Sequence, residues 1–185
     1  MAKAPLPGPD LPAEVTARAA GIELAVFDVD GVLTDGRIIL GDDGYEYKAF
    51  HTHDGHGLRM LGEAGVTLAV ITGRSSTLVA RRMEELGIRN VIQGRRDKGA
   101  ALAELLARLD CQAAATAYVG DDDVDVPALS RVGLAVAVAN ASALARAHAH
   151  WVTTAAGGQG AAREVAEAIL HARGQLAAAR AHWLR

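Results

Sequence analysis

Glu23-Leu-Ala-Val-Phe27, followed at once by Asp28-Val-Asp30-Gly31-Val32-Leu33-Thr34-Asp35-Gly36, is the stretch whose reading decides the fold. A short apolar run that stops abruptly at acids and glycine reads as a buried strand. The polar residues directly behind it lie where open α/β sheets present ligands, outside the carboxyl ends of their strands. Working outward, Val66–Ile71, Asn90–Ile92, Ala117–Val119 and Leu134–Val138 repeat the buried-strand pattern, with Trp151–Val152 as a short sixth. Between and after them Gly57–Ala64, Ser75–Leu86, Lys98–Leu109, Val124–Arg131, Ser142–Ala147 and Ala161–Leu170 carry helical spacing.

Strands without polar positions, alternating with helices, predict a parallel sheet covered on both faces. The right-handed crossover rule makes it a doubly wound, Rossmann-like α/β sheet. One segment breaks the rhythm: residues 37–50 read as a β-hairpin, Arg37–Leu40 and Tyr45–Phe50 joined by Gly41-Asp-Asp-Gly44.

The chain has 185 residues, enough for one domain with a full core. Residues 1–21 read as a flexible arm, because four of the five prolines fall within its first twelve positions, with a short helical piece around Pro12 to Ala20. Residues 22–173 form the domain, and 174–185 form a tail that extends the last helix or hangs free. A formal net charge of −3 without a basic cluster argues against nucleic acid. The lone Cys111 can form no internal bridge and fits a reduced, cytoplasmic setting. No apolar run reaches membrane-spanning length, so no membrane partner is expected.

Polar groups gather after three strands: Asp28 and Asp30 after the first, Thr72-Gly73-Arg74 after the second, and Gly120-Asp121-Asp122-Asp123-Val124-Asp125 after the fourth, while Lys98 opens a helix. Carboxylates crowded together repel unless a cation joins them. Magnesium suits an all-oxygen donor set with no obligatory thiol or histidine. Lysine and threonine beside such an ion suit a phosphoryl group.

In this order and on these strand ends, Asp28-x-Asp30-Gly, Thr72-Gly, Lys98 and Gly120-Asp121-Asp122 resemble the motifs of the haloacid dehalogenase superfamily of phosphatases. Lys48-Ala-Phe50, Asp54-Gly55, Arg74 and Gly157-Gly-x-Gly160-Ala-x-Arg163 resemble its members that hydrolyse sugar acid phosphates, over roughly residues 22–175. The resemblance implies Asp28 as nucleophile forming an aspartyl phosphate, Asp30 as acid and base, and Thr72 and Lys98 as grips on the phosphoryl oxygens. Magnesium is implied on the side chains of Asp28 and Asp121 and the main-chain carbonyl of Asp30, with Asp122 and Asp125 orienting Lys98 or water behind it.

The sugar-binding stretch carries over onto His51, Thr52, His53, Asp54 and Gly55, with Arg59, Gly73, Arg74 and Arg82 beside it and Asp30 and Lys98 at the phosphate end. Relatives acting on nine-carbon sugar acids tend to carry an acid at the position of Arg74, which favours an eight-carbon substrate. His53 and Gln159 stand where the family often has arginine. Relatives without a cap domain form tetramers through the hairpin, so a homotetramer is implied, with Gly158, Gly160 and Arg163 near a partner's pocket. Ile38, Leu40, Tyr45 and Tyr47 give the hairpin an apolar face that fits this.

Other readings are weaker. His51-Thr-His53-Asp54-Gly-His56 approaches a zinc cluster, but its aspartate follows His53 directly. Gly158-x-Gly160 comes after the fifth strand, not after the first as a dinucleotide fingerprint would. A signalling receiver domain also pairs acids with Thr and Lys, yet it needs a phosphoacceptor where this chain has Gln93-Gly94. A fold-only assembly subunit would have no use for intact Asp28, Asp30, Lys98 and Asp121, whereas a phosphatase for another sugar phosphate remains the nearest alternative. Phe27, Tyr118 and Trp151 read as core, and Cys111 as an inert helix-end residue.

Overall fold

Leu24–Phe27 (β1) is buried along its whole length and takes the centre of a six-stranded parallel sheet in a computed structural model that describes residues 8–181. The other strands are Thr67–Ile71 (β4), Asn90–Ile92 (β5), Thr116–Gly120 (β6), Leu134–Ala137 (β7) and Trp151–Val152 (β8), in the order β5-β4-β1-β6-β7-β8. Ile39–Leu40 (β2) and Glu46–Tyr47 (β3) pair separately as an antiparallel hairpin above the sheet. With the hairpin set aside, β1 is flanked by the strand after it and the fourth, as in the doubly wound dinucleotide-binding order. A receiver places its first strand between the second and third, so the topology excludes that reading.

The register explains why the polar ends meet. Phe27 lies level with Val70 on one side and Val119 on the other, so Asp28, Thr72 and Asp121 leave the sheet at nearly one height. The strands hold there because Leu24, Val26, Phe27, Val70, Ile71 and Val119 are buried, each worth about 1.5–3 kcal/mol of transfer free energy.

The helices are Ala13–Ala20 (α1), Thr52–Glu63 (α2), Thr77–Glu85 (α3), Lys98–Leu109 (α4), Val126–Leu129 (α5), Ala143–Ala147 (α6), Ala161–Ala172 (α7) and Leu176–Ala181 (α8). α2 and α1 both pack on α7, and α4 packs on α5. Both described chain ends are docked on the domain. The short helical piece expected around Pro12 to Ala20 is α1, whose Val15 and Ala19 are buried and whose Arg18 donates to Gly133 O at 2.9 Å. Part of the expected tail is docked as well: Leu176 is buried, and Arg180 bonds Glu167 Oε2 at 2.8 Å. Both segments carry a few apolar residues at helical spacing, which suffices once α7 offers a surface. Residues 1–7 and 182–185, including Trp183 of the expected tail, lie outside the described residues.

α2 begins at Thr52, five residues earlier than its apolar spacing indicated, because the His51 side chain caps it by accepting from His53 N at 3.2 Å. The hairpin strands are only two residues each. On them and beside them Ile38, Ile39, Leu40, Tyr45 and Tyr47 are all exposed, up to 73% for Leu40.

Candidate active site

Asp28 is placed by the sheet itself: its N–H donates to Val119 O at 3.0 Å, which fixes the first residue beyond β1. The chain then coils tightly, with Leu33 N and Thr34 N both donating to Val29 O, and Thr34 Oγ1 accepting from Gly31 N and Gly36 N. Gly31 adopts φ +98°, and a Cβ there would lie 2.1 Å from Asp121 Oδ2, so only glycine lets the two loops come together.

A second support comes from far along the sequence. Gly158 N donates to Val32 O and Gly157 N to Asn140 Oδ1, each at 2.9 Å. A Cβ on Gly157 would stand 1.6 Å from Gly31 O. The glycine-rich stretch therefore braces the loop of its own chain that carries Asp28. Gly160 N and Arg163 N both donate to Asp54, at 3.2 and 2.9 Å.

The charged centre is buried. Lys98 Nζ bonds Asp125 Oδ1 at 2.6 Å and Asp28 Oδ2 at 2.9 Å. Asp125, fully buried, also accepts from Tyr118 Oη at 2.8 Å and from the main-chain N–H groups of Asp121 and Asp122 at 3.0 and 3.2 Å. It is thus fully engaged in aiming Lys98 and shaping the acidic loop. Asp122 caps the short turn Asp123–Asp125 by accepting from Asp123 N at 2.9 Å. Thr72 is buried at the end of β4, and its main chain is fixed by Ile92 O and Arg95 N.

Burial pushes the Asp28 carboxyl up to about 6, with Asp125 adding to the rise and Lys98 opposing it. Burial and then the charges of Asp28 and Asp125 push Asp121 up to about 8. For Lys98 burial works against the charge, but Asp28 and Asp125 outweigh it and hold the ammonium above its usual range.

One atom of this centre is left over. Asp121 Oδ1 is buried without a hydrogen-bond partner, and oxygens of Asp28, Asp121 and Asp125 all lie within 4.8 Å of one another. Three carboxylates against one ammonium leave two negative charges on hard oxygen donors, which fits a divalent cation such as magnesium. Because Asp125 is saturated by its four donors, Asp28 and Asp121 are the side chains available to it.

The Asp30 side chain turns away towards the hairpin. Its Oδ1 accepts from Lys48, whose side chain is almost wholly buried, and Arg74 Nε stands 3.9 Å from its Oδ2. Arg74 also donates to Glu46 Oε2 at 2.5 Å, so the hairpin is tied by charge to the end of β4.

The expected sugar-binding residues divide. His51 and Arg82 line one small cavity with Phe50 and Gly55, Arg82 lying over the Phe50 ring at 5.9 Å and against Gly55, and Thr52 and His53 follow His51 in the first turn of α2. Gly73 follows Thr72 beside Arg74. Asp54 lines the same cavity but is 2% exposed, and both its oxygens accept from the start of α7. Burial raises its pKa despite those bonds. Arg59 is placed elsewhere. Two turns along α2 it donates to Glu85 O at 2.8 Å, in a groove lined by Val66, Thr67 and Asn90 at the opposite ends of the strands. Asp54 is thus bonded to the start of α7, and Arg59 to the end of α3.

Sequence reading assigned no role to Lys48, Glu46, Asn140 or the Tyr118 hydroxyl. Asn140 could have been found as an amide two residues past an apolar strand, on the ligand-bearing edge.

Residues 88–165 match the haloacid dehalogenase-like hydrolase family. A curated 3-deoxy-D-manno-octulosonate 8-phosphate phosphatase of Yersinia pestis is 48% identical over 163 residues, covering 88% of this chain and 87% of that protein. The protein of the same description from Escherichia coli K12 is 45% identical over 164 residues, covering 89% and 87%. A crystal structure of the phosphatase from Moraxella catarrhalis, in complex with magnesium ion, phosphate ion and KDO, superposes with a TM-score of 0.91 at 44% identity, covering 92% of this chain and 98% of that one.

Proposed function

This chain belongs to the 3-deoxy-D-manno-octulosonate 8-phosphate phosphatases of the haloacid dehalogenase superfamily, and from that premise we propose how its residues carry the reaction. It is a magnesium-dependent phosphomonoesterase that converts the eight-carbon sugar acid phosphate to the free sugar acid and phosphate, a step in building lipopolysaccharide precursors. The observation that carries this reading is the meeting of Asp28, Asp121 and Lys98 at one strand edge, with an Asp121 oxygen left unpartnered.

Asp28 Oδ attacks phosphorus in line with the sugar oxygen; an O–P bond forms to the carboxylate as the P–O bond to the sugar breaks. Asp30 gives its proton to the departing alkoxide, then takes one from the water that opens the aspartyl phosphate and releases inorganic phosphate. Lys98, aimed by Asp125, and Thr72 hold the phosphoryl oxygens while their charge shifts. Magnesium would be held by the side chains of Asp28 and Asp121 and the main-chain carbonyl of Asp30. When bound, it neutralises the crowded acids and polarises the phosphoryl group.

In this reading His51, Thr52, His53, Arg74 and Arg82 supply donors for a sugar acid, which the cavity shared by His51 and Arg82 and the exposure of Arg74 support. Two hairpin strands of two residues each cannot close such a site alone. The exposed Ile38, Leu40, Tyr45 and Tyr47 support assembly through the hairpin into a homotetramer, whose neighbours complete the lid. The braced stretch at Gly158, Gly160 and Arg163 then lies close enough to the rim to meet a neighbour as well. No helix among the described residues is long and apolar enough to cross a membrane. The small charged substrate and the lone Cys111 support a cytoplasmic location.

The test is phosphate release from a panel of eight-carbon, nine-carbon and neutral sugar phosphates, with magnesium and with chelator. The reading requires metal-dependent turnover that is highest on the eight-carbon acid and absent in Asp28→Asn. Undiminished turnover in chelator would overturn it. Light scattering tests the assembly, and a fully active monomer at micromolar concentration would refute the tetramer.

A further inference from the structure

Glu46, on β3, completes a ring of alternating charges above the site. Its Oε2 accepts from Arg74 Nη2 at 2.5 Å, and its Oε1 stands 3.2 Å from Lys48 Nζ. Lys48 donates to Asp30 Oδ1, and Arg74 Nε lies 3.9 Å from Asp30 Oδ2. Both oxygens of Asp30 therefore face cations, although the sugar oxygen has to reach Asp30 to receive its proton.

The four links are unequal. The Lys48 side chain is 2% exposed and held between two acids, whereas Arg74 is 45% exposed. Glu46 Oε1 is shut off from water yet makes no well-directed hydrogen bond. Arg74 stands only loosely beside Asp30 at 3.9 Å, and its one hydrogen-bonded acid is Glu46, in a partly exposed pair where a substrate carboxylate can replace the glutamate at the same guanidinium.

We propose that Glu46 sets substrate affinity as an internal competitor: its carboxylate occupies Arg74 in the empty enzyme, yields it to the carboxylate of the arriving sugar acid, and reclaims it after hydrolysis to hasten release. This rests on the sugar acid reading above. With Glu46 still in place, an incoming carboxylate would set two anions on one guanidinium beside Asp30, an excess of negative charge that the exchange removes. Lys48 keeps its hold on Asp30 throughout, so the exchange alters binding without stripping the acid of its partner.

The experiment compares Glu46→Gln, Glu46→Asp, Arg74→Ala and the double variant Glu46→Gln/Arg74→Ala with wild type, in magnesium. Substrates are 3-deoxy-D-manno-octulosonate 8-phosphate and p-nitrophenyl phosphate, which has no carboxylate. Glu46→Gln should lower KM for the sugar acid phosphate, and the inhibition constant of the free sugar acid, each on the order of two- to fivefold, with no rise in kcat. KM for p-nitrophenyl phosphate should stay put, and the effect on the sugar acid should vanish in the Arg74→Ala background. Glu46→Asp, still charged but one methylene short of Arg74, should shift KM the same way by less, and it serves if the amide variant folds poorly. A rise in KM for the sugar acid, or an equal fall without Arg74, overturns the inference. Wild-type turnover of p-nitrophenyl phosphate without turnover of the sugar acid phosphate would overturn the substrate reading and this inference with it.

Discussion

Replacing Tyr118 by phenylalanine deletes one oxygen from the centre of the protein and leaves the ring in place, so no cavity opens. The tyrosine is fully buried, and its hydroxyl donates to Asp125 Oδ1 at 2.8 Å. Asp125 retains Lys98 at 2.6 Å and two main-chain donors, so the loss is one hydrogen bond to a charged acceptor, worth about 1.5–3 kcal/mol. For a chain of this length each kcal/mol moves the midpoint by about 2–4 °C, which gives a fall of roughly 3–12 °C. Urea unfolding followed by circular dichroism, in chelator to remove any contribution from bound metal, measures it directly. Because Asp125 aims Lys98 at Asp28, kcat should fall together with stability while KM changes little. A variant within about 0.5 kcal/mol of wild type would show that the hydroxyl carries no net weight and that Asp125 is held by its other donors alone.

Asp121→Asn removes a carboxylate that burial and the charge of Asp28 disfavour; in chelator it should melt at or above wild type, while the stabilisation that magnesium gives wild type, about 2.7 kcal/mol at a hundred times its dissociation constant, should disappear. Gly157→Ala sets a Cβ 1.6 Å from Gly31 O and must push the loop carrying Asp28 out of line; steady-state assays should show kcat down by about a hundredfold with the circular dichroism spectrum retained. His150 accepts from Ala135 N at 2.8 Å, and burial and then Arg18 lower its pKa. The unfolded chain therefore takes up the proton first, so stability should drain away as pH falls from about 6.5 towards the lower folded value, a slope that His150→Asn should flatten in melting curves.

The strands were readable because they are runs of buried residues without polar interruption, and Asn90–Ile92 and Trp151–Val152 lie where the sequence puts them. Asp28, Thr72, Lys98 and the acids after β6 follow from strand ends, which periodicity locates well. The start of α2 was harder, since His51-Thr-His53 has no apolar spacing and the cap is not the usual candidate Thr52 but the imidazole of His51. The bonds of Asp54 were hidden for a related reason: its partners are main-chain groups at the start of α7, more than a hundred residues away, and no local pattern reveals them. Tyr118 was rightly assigned to the core, but an apolar pattern records the ring and says nothing about what its hydroxyl meets. Lys48 and Glu46 belong to a hairpin so short that alternation gives no facing, and only the folded chain shows them turned to Asp30 and Arg74.

β1 leaves the ribosome before every other strand of its sheet, yet it occupies the middle of that sheet, and the loop behind it rests on Gly157 and Gly158. A nascent chain interrupted anywhere before those glycines would present Asp28 on an unsupported loop, beside a sheet missing its later strands. Catalytic competence therefore arrives only after those glycines are made, and contacts spanning so much of the chain make the last stage of folding the slow one. Truncated products of this gene would be expected to be inert, without free aspartates able to attack cellular phosphate esters indiscriminately.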